Sequence, residues 1–285
     1  MIALTAATSA LALAEPLARV EGVEDARLRA DLTAALGQAD GPAEDRWRAR
    51  ERADTAAGRA RAFLRSEGYY AARIDARLDA EGQPLVRVRP GARFVFDAVT
   101  IDFDQPDGAP EPGEGVRSAL QLGPGEPVTA RSVLDARARL TAALHENGFP
   151  EAGEAEYAVT VDHADAGAEA EFTAATGPFV RFGDARFAGG LAELREGYID
   201  RLAPYELGDP ASLTILNAYA SRLAALDAIA VADARLSPAS EEGADGLRPV
   251  DVRAEPAPRH RLTGAVSWST DEGAGARGDW ARRNL

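Results

Sequence analysis

Three glycines near the end of the sequence have the spacing of a dinucleotide-binding loop. Gly273, Gly275 and Gly278 match the pattern G-x-G-x-x-G, whose glycines let the backbone approach a pyrophosphate at a helix N-terminus. The full fingerprint also requires a following helix and an acidic residue about 20 positions further on. Only seven residues follow Gly278 in the sequence. The pattern therefore favours the turn of a β-hairpin over a cofactor-binding loop.

The other residue types that could carry chemistry are absent or scattered. The sequence has no cysteine and its 32 basic residues are all arginine, which excludes thiol nucleophiles, thiolate metal sites, the P-loop lysine and Schiff-base chemistry. The histidines His145, His163 and His260 fall at a helix end, in a turn and in a linker. Their spacing favours solvated surface groups over a zinc site. We therefore expect neither a cofactor nor a metal.

Carboxylates are the abundant groups that remain. A glycosidase needs two carboxyl groups facing each other across a cleft, whereas most of the 46 acidic residues occupy turns, helix starts or the outward phase of strands. Solvation explains those positions, so we expect no enzymatic activity, with an Asp/Glu hydrolase left as an alternative. The net charge of −14 and the lack of a basic stripe argue against a nucleic-acid ligand.

Length and the first residues limit the organisation of the chain. With 285 residues, of which 46% are hydrophobic, the sequence suits two or three globular domains. Residues 1–14 are apolar or small and uncharged, and Ala12-Leu13-Ala14 has the small-x-small form of a signal-peptidase site. The stretch is too short to span a bilayer. It is interpreted as the remnant of a signal peptide; a short apolar arm packed on the first domain is the alternative.

A repeat at the scale of a domain organises the rest. Gly125-Glu126-Pro127 recurs 83 positions later as Gly208-Asp209-Pro210, and Gly68-Tyr69 recurs 80 positions later as Gly148-Phe149. Proline after an acidic residue is typical of a helix start, and glycine before an aromatic residue of a helix end. The first helix of each copy is predicted at Glu24–Leu36, Gly113–Leu122 and Leu191–Tyr205. Repetition at a fixed spacing predicts tandem modules.

Each predicted helix end is followed by two stretches in which apolar and polar residues alternate. In the first copy Ala72, Ile74 and Ala76 alternate with charged residues, and the alternation resumes after the turn 79–84. A two-residue period predicts a hairpin with one buried face. Each module is therefore predicted as β-α-α-β-β, with a helix pair covering a three-stranded sheet. The predicted boundaries are 15–91, 92–178 and 179–257.

The last residues, 258–285, show a different alternation. Gly264, Val266 and Trp268 alternate with Thr263, Ala265, Ser267 and Ser269, and after a turn Trp280 alternates with Arg277 and Asp279. Apolar residues on one face and polar residues on the other, with an aromatic residue, are typical of a strand pair that faces lipid. One hairpin cannot satisfy its outer edges in lipid, because only a closed barrel does so. More strands are therefore expected in a longer protein.

Two stretches carry a resemblance to a known family: residues 177–189, GPFVRFGDARFAG, and residues 258–285, PRHRLTGAVSWSTDEGAGARGDWARRNL. With the repeated module, they resemble the POTRA (polypeptide-transport-associated) arms of the BamA/TamA outer-membrane assembly superfamily, and within it the TamA-type subunits. The resemblance implies an α+β fold: three tandem POTRA modules (β-α-α-β-β) followed by the first hairpin of a truncated outer-membrane β-barrel. A barrel-assembly factor, a two-partner-secretion transporter and a soluble periplasmic binding module without a barrel are the alternatives.

The resemblance also implies a function and partners. The arm would lie in the periplasm, capture unfolded outer-membrane or autotransporter polypeptides, and pass them to its barrel in the outer-membrane lipid. A TamB-like inner-membrane protein that spans the periplasm would dock on the first module. The predicted partner-binding site is an edge strand made of Ala71, Ala72, Arg73, Ile74, Asp75, Ala76, Arg77 and Leu78. Roughly four or five main-chain hydrogen bonds, each worth about 0.5–1.5 kcal/mol, would hold a client reversibly there.

Overall fold

The computed structural model describes residues 15–189, 200–226, 229–243, 246–257, 260–269 and 273–282. The chain divides into two compact units. One comprises Met1–Ile101, Gln121–Arg137 and Tyr157–Phe172; the other comprises Asp102–Leu120, Ala138–Glu156 and Thr173–Leu285. The predicted signal-peptide remnant and most of the predicted helix Leu191–Tyr205 lie outside the described residues.

The first sheet lies within the first unit. The elements of this part of the chain are β1 (Glu15–Pro16), β2 (Arg19–Glu21), α1 (Ala26–Leu36), β3 (Gln38–Ala39), α2 (Arg46–Ser66), β4 (Arg73–Leu78) and β5 (Pro84–Arg89). Strands β1 and β3 pair with each other in a separate two-stranded sheet. The strand order of the first sheet is β2-β5-β4, with β2 parallel and β4 antiparallel to the central β5. Helix α2 begins where the Asp45 carboxylate accepts a hydrogen bond from the Arg48 N–H at 2.8 Å. Its buried stripe of alanines packs on the sheet beside Val86 and Val88.

The second sheet follows the same order of elements. They are β6 (Val95–Asp104), α3 (Glu114–Ser118), α4 (Ala130–Glu146), β7 (Glu156–Asp162) and β8 (Gly167–Ala175). The strand order is β6-β8-β7, so the last strand of the three is again central. Alternate residues of β8 are buried, which are Ala168, Ala170, Phe172 and Ala174.

The third sheet lies within the second unit. The elements of this part of the chain are β9 (Arg181–Gly189), a 3-10 turn (Asp200–Leu202), α5 (Leu213–Ala224), β10 (Ile229–Leu236), a second 3-10 turn (Ala239–Glu241) and β11 (Leu247–Pro256). The strand order is β10-β11-β9, with β9 parallel and β10 antiparallel to β11. Leu216, Tyr219 and Leu223 of α5 share one buried cluster with Val250 and Val252 of β11.

A two-stranded hairpin follows the third sheet. Strands β12 (His260–Ser269) and β13 (Gly273–Arg282) pair antiparallel from His260↔Arg282 to Ser269↔Gly273. The chain is therefore an α+β protein, as the sequence predicts. Whether its sheets are three modules with boundaries at 15–91, 92–178 and 179–257 stays a prediction, because β6, β7 and β8 each have residues in both compact units.

Two predicted helices differ in their bounds. Helix α1 begins at Ala26 instead of Glu24, because the Asp25 carboxylate caps it by accepting a hydrogen bond from the Leu28 N–H at 2.9 Å. Helix α3 ends at Ser118 instead of Leu122, because Gln121 adopts a left-handed conformation with φ of 46° that a helix cannot continue. Within the described residues, no helix is both long enough and apolar enough to cross a bilayer.

Candidate strand-edge binding site

Strand β4 contains most of the predicted partner-binding residues and lies at the edge of the first sheet. It pairs with β5 from Arg73↔Arg89 to Leu78↔Pro84, and no other described strand pairs with it. An edge strand leaves the N–H and C=O groups of alternate residues without partners in the sheet. The outer edge of β4 can therefore accept a further strand.

The side chains of β4 alternate between the core and water. Ile74 and Ala76 are half-buried and pack against the core of the first unit, whereas Arg73, Asp75 and Arg77 are exposed. The inward residues fix the register, because a slip of one residue would turn the charges into the core. The strand therefore has a fixed register, with Arg73, Asp75 and Arg77 pointing outward.

Two residues of the predicted site lie outside the strand. Ala71 and Ala72 belong to the turn before β4, where the Ala72 N–H donates to the Tyr69 carbonyl at 3.3 Å. This turn directs the chain from the end of α2 back to the sheet, and pairing with β5 begins only at Arg73. The strand edge is therefore Arg73–Leu78 and not Ala71–Leu78.

Gly68 sets the point at which the chain leaves α2 for β4. It has φ of 90°, and a Cβ placed on it would lie 2.9 Å from the Val128 carbonyl oxygen. The following Tyr69 N–H donates back to the Leu64 carbonyl at 2.8 Å, which satisfies one of the last helical carbonyls. The glycine-aromatic pair thus ends the helix in the way its sequence predicts. Gly148 has φ of 94° and precedes the buried Phe149 in the same role.

The two junctions, by which we mean the residues directly before β6 and β9, are bonded to Gly68 and Gly148 in one main-chain pattern. The N–H of Phe94 donates to the Gly68 carbonyl at 2.9 Å, and the N–H of Val180 to the Gly148 carbonyl at 2.8 Å. Each junction is also bonded to the residues just before a later helix, α4 or α5: the Val128 N–H donates to the Phe94 carbonyl at 3.0 Å, and the Ala211 N–H to the Val180 carbonyl at 2.9 Å. The repeat in the sequence is therefore reproduced in hydrogen bonds between backbone atoms.

Strands β7 and β10 occupy the same position in their own sheets as β4. Each pairs with one central strand, β8 or β11, and no further described strand covers the other side. On β10 the exposed charges face opposite charges across the ladder, where Asp233 is opposite Arg253 and Arg235 is opposite Asp251. The three sheets thus present three topologically equivalent edges with different charge patterns.

A buried arginine in the second unit was missed by the sequence analysis. Arg248 is 2% exposed and donates from Nε and Nη2 to the Glu242 carboxylate at 3.1 and 2.6 Å, and from Nη1 to Glu151. Burial lowers the pKa of Arg248, but the hydrogen bonds and charges of Glu242 and Glu151 outweigh it and raise that pKa above its ordinary value. Both carboxylates are occupied by one cation, so the cluster is suited to structure and not to acid–base catalysis.

The remaining candidate groups do not form a chemical site. Gly275 and Gly278 lie in β13 with no helix after them in the described chain, so the G-x-G-x-x-G pattern is part of a hairpin. His145 is not simply solvated, because its Nε2 lies 2.9 Å from the Ala152 carbonyl oxygen, and His163 stacks edge-on against Phe94 at 5.4 Å. Among the described residues, no three His, Asp or Glu side chains come together as metal ligands.

The hairpin β12–β13 exposes large apolar side chains on a single face. The register places Leu262 opposite Trp280 and Val266 opposite Ala276, with Trp268 further along the same face. Leu262, Val266, Trp268 and Trp280 are 80, 88, 78 and 66% exposed. A contiguous exposed apolar face marks a surface that contacts a protein or a membrane.

The sequence matches no protein-family model and no curated protein. Similar solved structures exist. POTRA domains 3–5 of BamA from Haemophilus influenzae are 16% identical over 71% of this chain and 79% of that chain, with a TM-score of 0.41. POTRA domains 1–3 of Omp85 from Anabaena are 14% identical over 86% of this chain and 95% of that chain, with a TM-score of 0.35. BamA from Haemophilus ducreyi lacking POTRA domains 1–3 is 12% identical over 66% of this chain and 34% of that chain, with a TM-score of 0.48.

These similar structures are POTRA domains of BamA and Omp85 proteins. The narrower assignment to the TamA-type subunits stays a prediction, as do the clients and partners that the resemblance implies.

Proposed function

We propose that the chain is the periplasmic POTRA arm of an outer-membrane assembly or translocation factor. It captures extended polypeptides by strand addition and passes them to a barrel, and it performs no enzymatic reaction. The single observation that carries the proposal is the uncovered outer edge of β4, Arg73–Leu78, in a register held by Ile74 and Ala76. Main-chain capture is tolerant of sequence, which suits a protein that handles many clients.

The length of the edge sets the strength of capture. In a strand of six residues, three turn their N–H and C=O groups outward, so a client gains up to about six main-chain hydrogen bonds. At about 0.5–1.5 kcal/mol each, these bonds contribute roughly 3–9 kcal/mol. Association costs about 4–15 kcal/mol of translational and rotational freedom. A client is therefore held weakly at one edge and released readily, as handoff requires.

The hairpin β12–β13 supports the second part of the proposal, that a barrel follows. Its apolar face and its polar face alternate residue by residue, which suits a strand pair with lipid on one side and a polar lumen on the other. Its outer edges require further strands in a bilayer. Reading the gene beyond Leu285 tests this directly, because a barrel requires many more alternating segments.

The finer assignments rest on the resemblance of residues 177–189 and 258–285 to TamA-type proteins. In that assignment the clients include autotransporter polypeptides, and a TamB-like inner-membrane protein docks on the first sheet. The open edge of β4 is the surface we propose for that docking. Competition between a TamB-like strand and an unfolded client for β4 would support one shared edge.

Proline substitutions in β4 test capture. Neighbouring N–H groups of a strand point to opposite edges. Of the two single variants Ile74→Pro and Asp75→Pro, one therefore removes an N–H donor from the open edge and the other removes a hydrogen bond to β5. The variant that keeps its fold has lost an outward donor, and we expect it to capture a urea-denatured outer-membrane barrel polypeptide less well after dilution. Circular dichroism identifies the folded variant, and hydrogen exchange of β4 amides reports capture.

Ala80→Pro is the matched control, because it introduces the same residue into the same hairpin without touching the edge. Ala80 follows Asp79 in a turn closed by a hydrogen bond from the Gly82 N–H to the Asp79 carbonyl at 3.1 Å, a position that accepts proline. Undiminished capture by the folded β4 proline variant, at the level of Ala80→Pro, would falsify the use of this edge.

A further inference from the structure

The outward face of the first sheet contains two arginines placed directly opposite each other. Arg73 of β4 pairs in register with Arg89 of β5, and both side chains are exposed. Like charges directly opposite in a ladder destabilise the sheet. Neither guanidinium has an ion pair with any described residue, so this repulsion is not offset within the described chain.

The acidic residues of the same face are already engaged. Glu21 lies 3.3 Å from Arg87 and 3.5 Å from Arg19, and Asp75 lies 3.9 Å from Arg77. Glu24 and Asp25 line a shallow depression with Arg89; Asp25 uses its carboxylate to cap α1, and neither residue forms an ion pair with Arg89. The positive charge at the Arg73 end of the edge is therefore available to a ligand.

The third sheet provides an internal comparison. On β10 each outward charge faces an opposite charge on β11, as Asp233 faces Arg253 and Arg235 faces Asp251. Each of these charges of β10 therefore has a charge of opposite sign opposite it in the ladder, and Arg235 also pairs with Asp233 at 2.8 Å. The first sheet has the same strand order, but its Arg73 lies opposite another arginine and has no ion-pair partner among the described residues. Of these two edges, β4 is therefore the one whose charge can attract a ligand of opposite charge.

We propose that the β4 edge selects extended polypeptide segments in which an acidic side chain lies opposite Arg73. The inference rests on the strand-addition function proposed above and names its ligand class. The outward residues Arg73, Asp75 and Arg77 are best matched by the pattern acidic-x-basic-x-acidic, with apolar residues between to cover Ile74 and Ala76. The pattern reads the same in both directions, so it sets the register of a client without fixing its orientation.

The geometry makes the acidic position opposite Arg73 the most important of the three. Strands in a sheet lie about 4.8 Å apart, so a client carboxylate beside Arg73 lies about two strand spacings from Arg89. That distance is about one Debye length at physiological salt, so Arg89 still adds to the attraction. Preference for the acidic pattern therefore weakens as salt is raised.

Two labelled peptides of equal length test the proposal on the full chain. Both have valine at alternate positions; one contains Asp-x-Lys-x-Asp and the other Lys-x-Asp-x-Lys between the valines. We expect the first to bind about fivefold more tightly by fluorescence anisotropy, a ratio in the range of cross-strand charge pairs. Arg73→Glu should remove or reverse the preference, and Arg89→Gln should reduce it. Arg61→Glu, an exposed residue of α2 on the other side of the sheet, makes the same charge change and should leave the ratio unaltered.

A measurement without ligand checks the premise. Arg73→Glu replaces the arginine pair by an opposite-charge pair with Arg89, so its urea midpoint should rise above that of the unsubstituted chain, whereas Arg61→Glu should not raise it. An unchanged or lower midpoint for Arg73→Glu overturns the repulsion on which the inference depends.

The outcomes separate this inference from the function beneath it. Equal affinity for the two peptides overturns charge selection while leaving strand capture intact. Displacement of the Asp-containing peptide by inorganic phosphate or by anionic phospholipid vesicles at similar charge concentration also overturns it, because the arginines would then bind any anion. Failure of both peptides, together with unaltered client capture by the folded β4 proline variant, rejects the strand-addition function itself.

Discussion

For the buried Arg248 we predict that removing a neighbouring carboxylate lowers the free energy of unfolding more than removing the arginine itself. Its side chain is 3% exposed, whereas those of Glu242 and Glu151 are 26% and 44% exposed. Glu242→Ala removes two of the three hydrogen bonds and leaves a buried cation short of charge, which we expect to cost about 3–5 kcal/mol. Glu151→Ala removes one charge-assisted bond and should cost about 1.5–3 kcal/mol.

Arg248→Met should cost the least, about 1 kcal/mol, because it removes the buried charge and leaves two carboxylates that water can reach. Hydrogen exchange of the β11 amides, with urea unfolding as a second measurement, gives the three free energies. The expected order is Glu242→Ala, then Glu151→Ala, then Arg248→Met. If Arg248→Met were the most destabilising, the two partly exposed carboxylates would depend on the cation more than the buried cation depends on them, and the expected order would be wrong.

Three further predictions follow from the described residues. Gly148→Ala should lower the free energy of unfolding by about 1–2 kcal/mol through its left-handed φ of 94° alone, and by more because the added Cβ would overlap the Phe179 ring. Gly153→Ala, which places its Cβ in open space, should cost little when both are measured by urea unfolding. Burial raises the pKa of Tyr70 above 10.0, and the charge of Arg65 opposes this rise. The folded state therefore keeps its full stability below pH 10.0 and loses stability as the pH rises through the higher folded-state pKa. Tyr70→Phe should remove that loss in unfolding curves at alkaline pH. Val266→Arg on the apolar face of the hairpin should weaken flotation with phospholipid vesicles, and Thr263→Arg on the opposite face should not.

The local features of the fold could be predicted from the sequence because each depends on nearby residues. Alternation in Arg73–Leu78 predicts which side chains of β4 face the core, and Gly68 before Tyr69 predicts where α2 ends. The bounds were less accurate where one backbone angle decides them. Gln121 has no sequence signal for a positive φ, so α3 was predicted too long.

Long-range contacts explain what the sequence did not reveal. Arg248 has the two-residue phase of the buried Val250 and Val252, but the partner that makes burial of its charge possible, Glu151, lies 97 residues earlier. A signal was present in Pro249, where the register between β11 and β9 shifts. The arginine pair at Arg73 and Arg89 could have been found from the turn length, because a hairpin register follows from its turn.

The two junctions at Gly68 and Gly148 have a consequence for how such a chain can evolve. Their hydrogen bonds join backbone atoms, so they place no demand on side chains apart from the two glycines. A duplicated gene segment would therefore bring its own joint with it, and the copies could diverge in sequence without losing their connection. The edges of β4 and β10 have the same place in their sheets but different charges, which is the kind of divergence that such backbone joints permit.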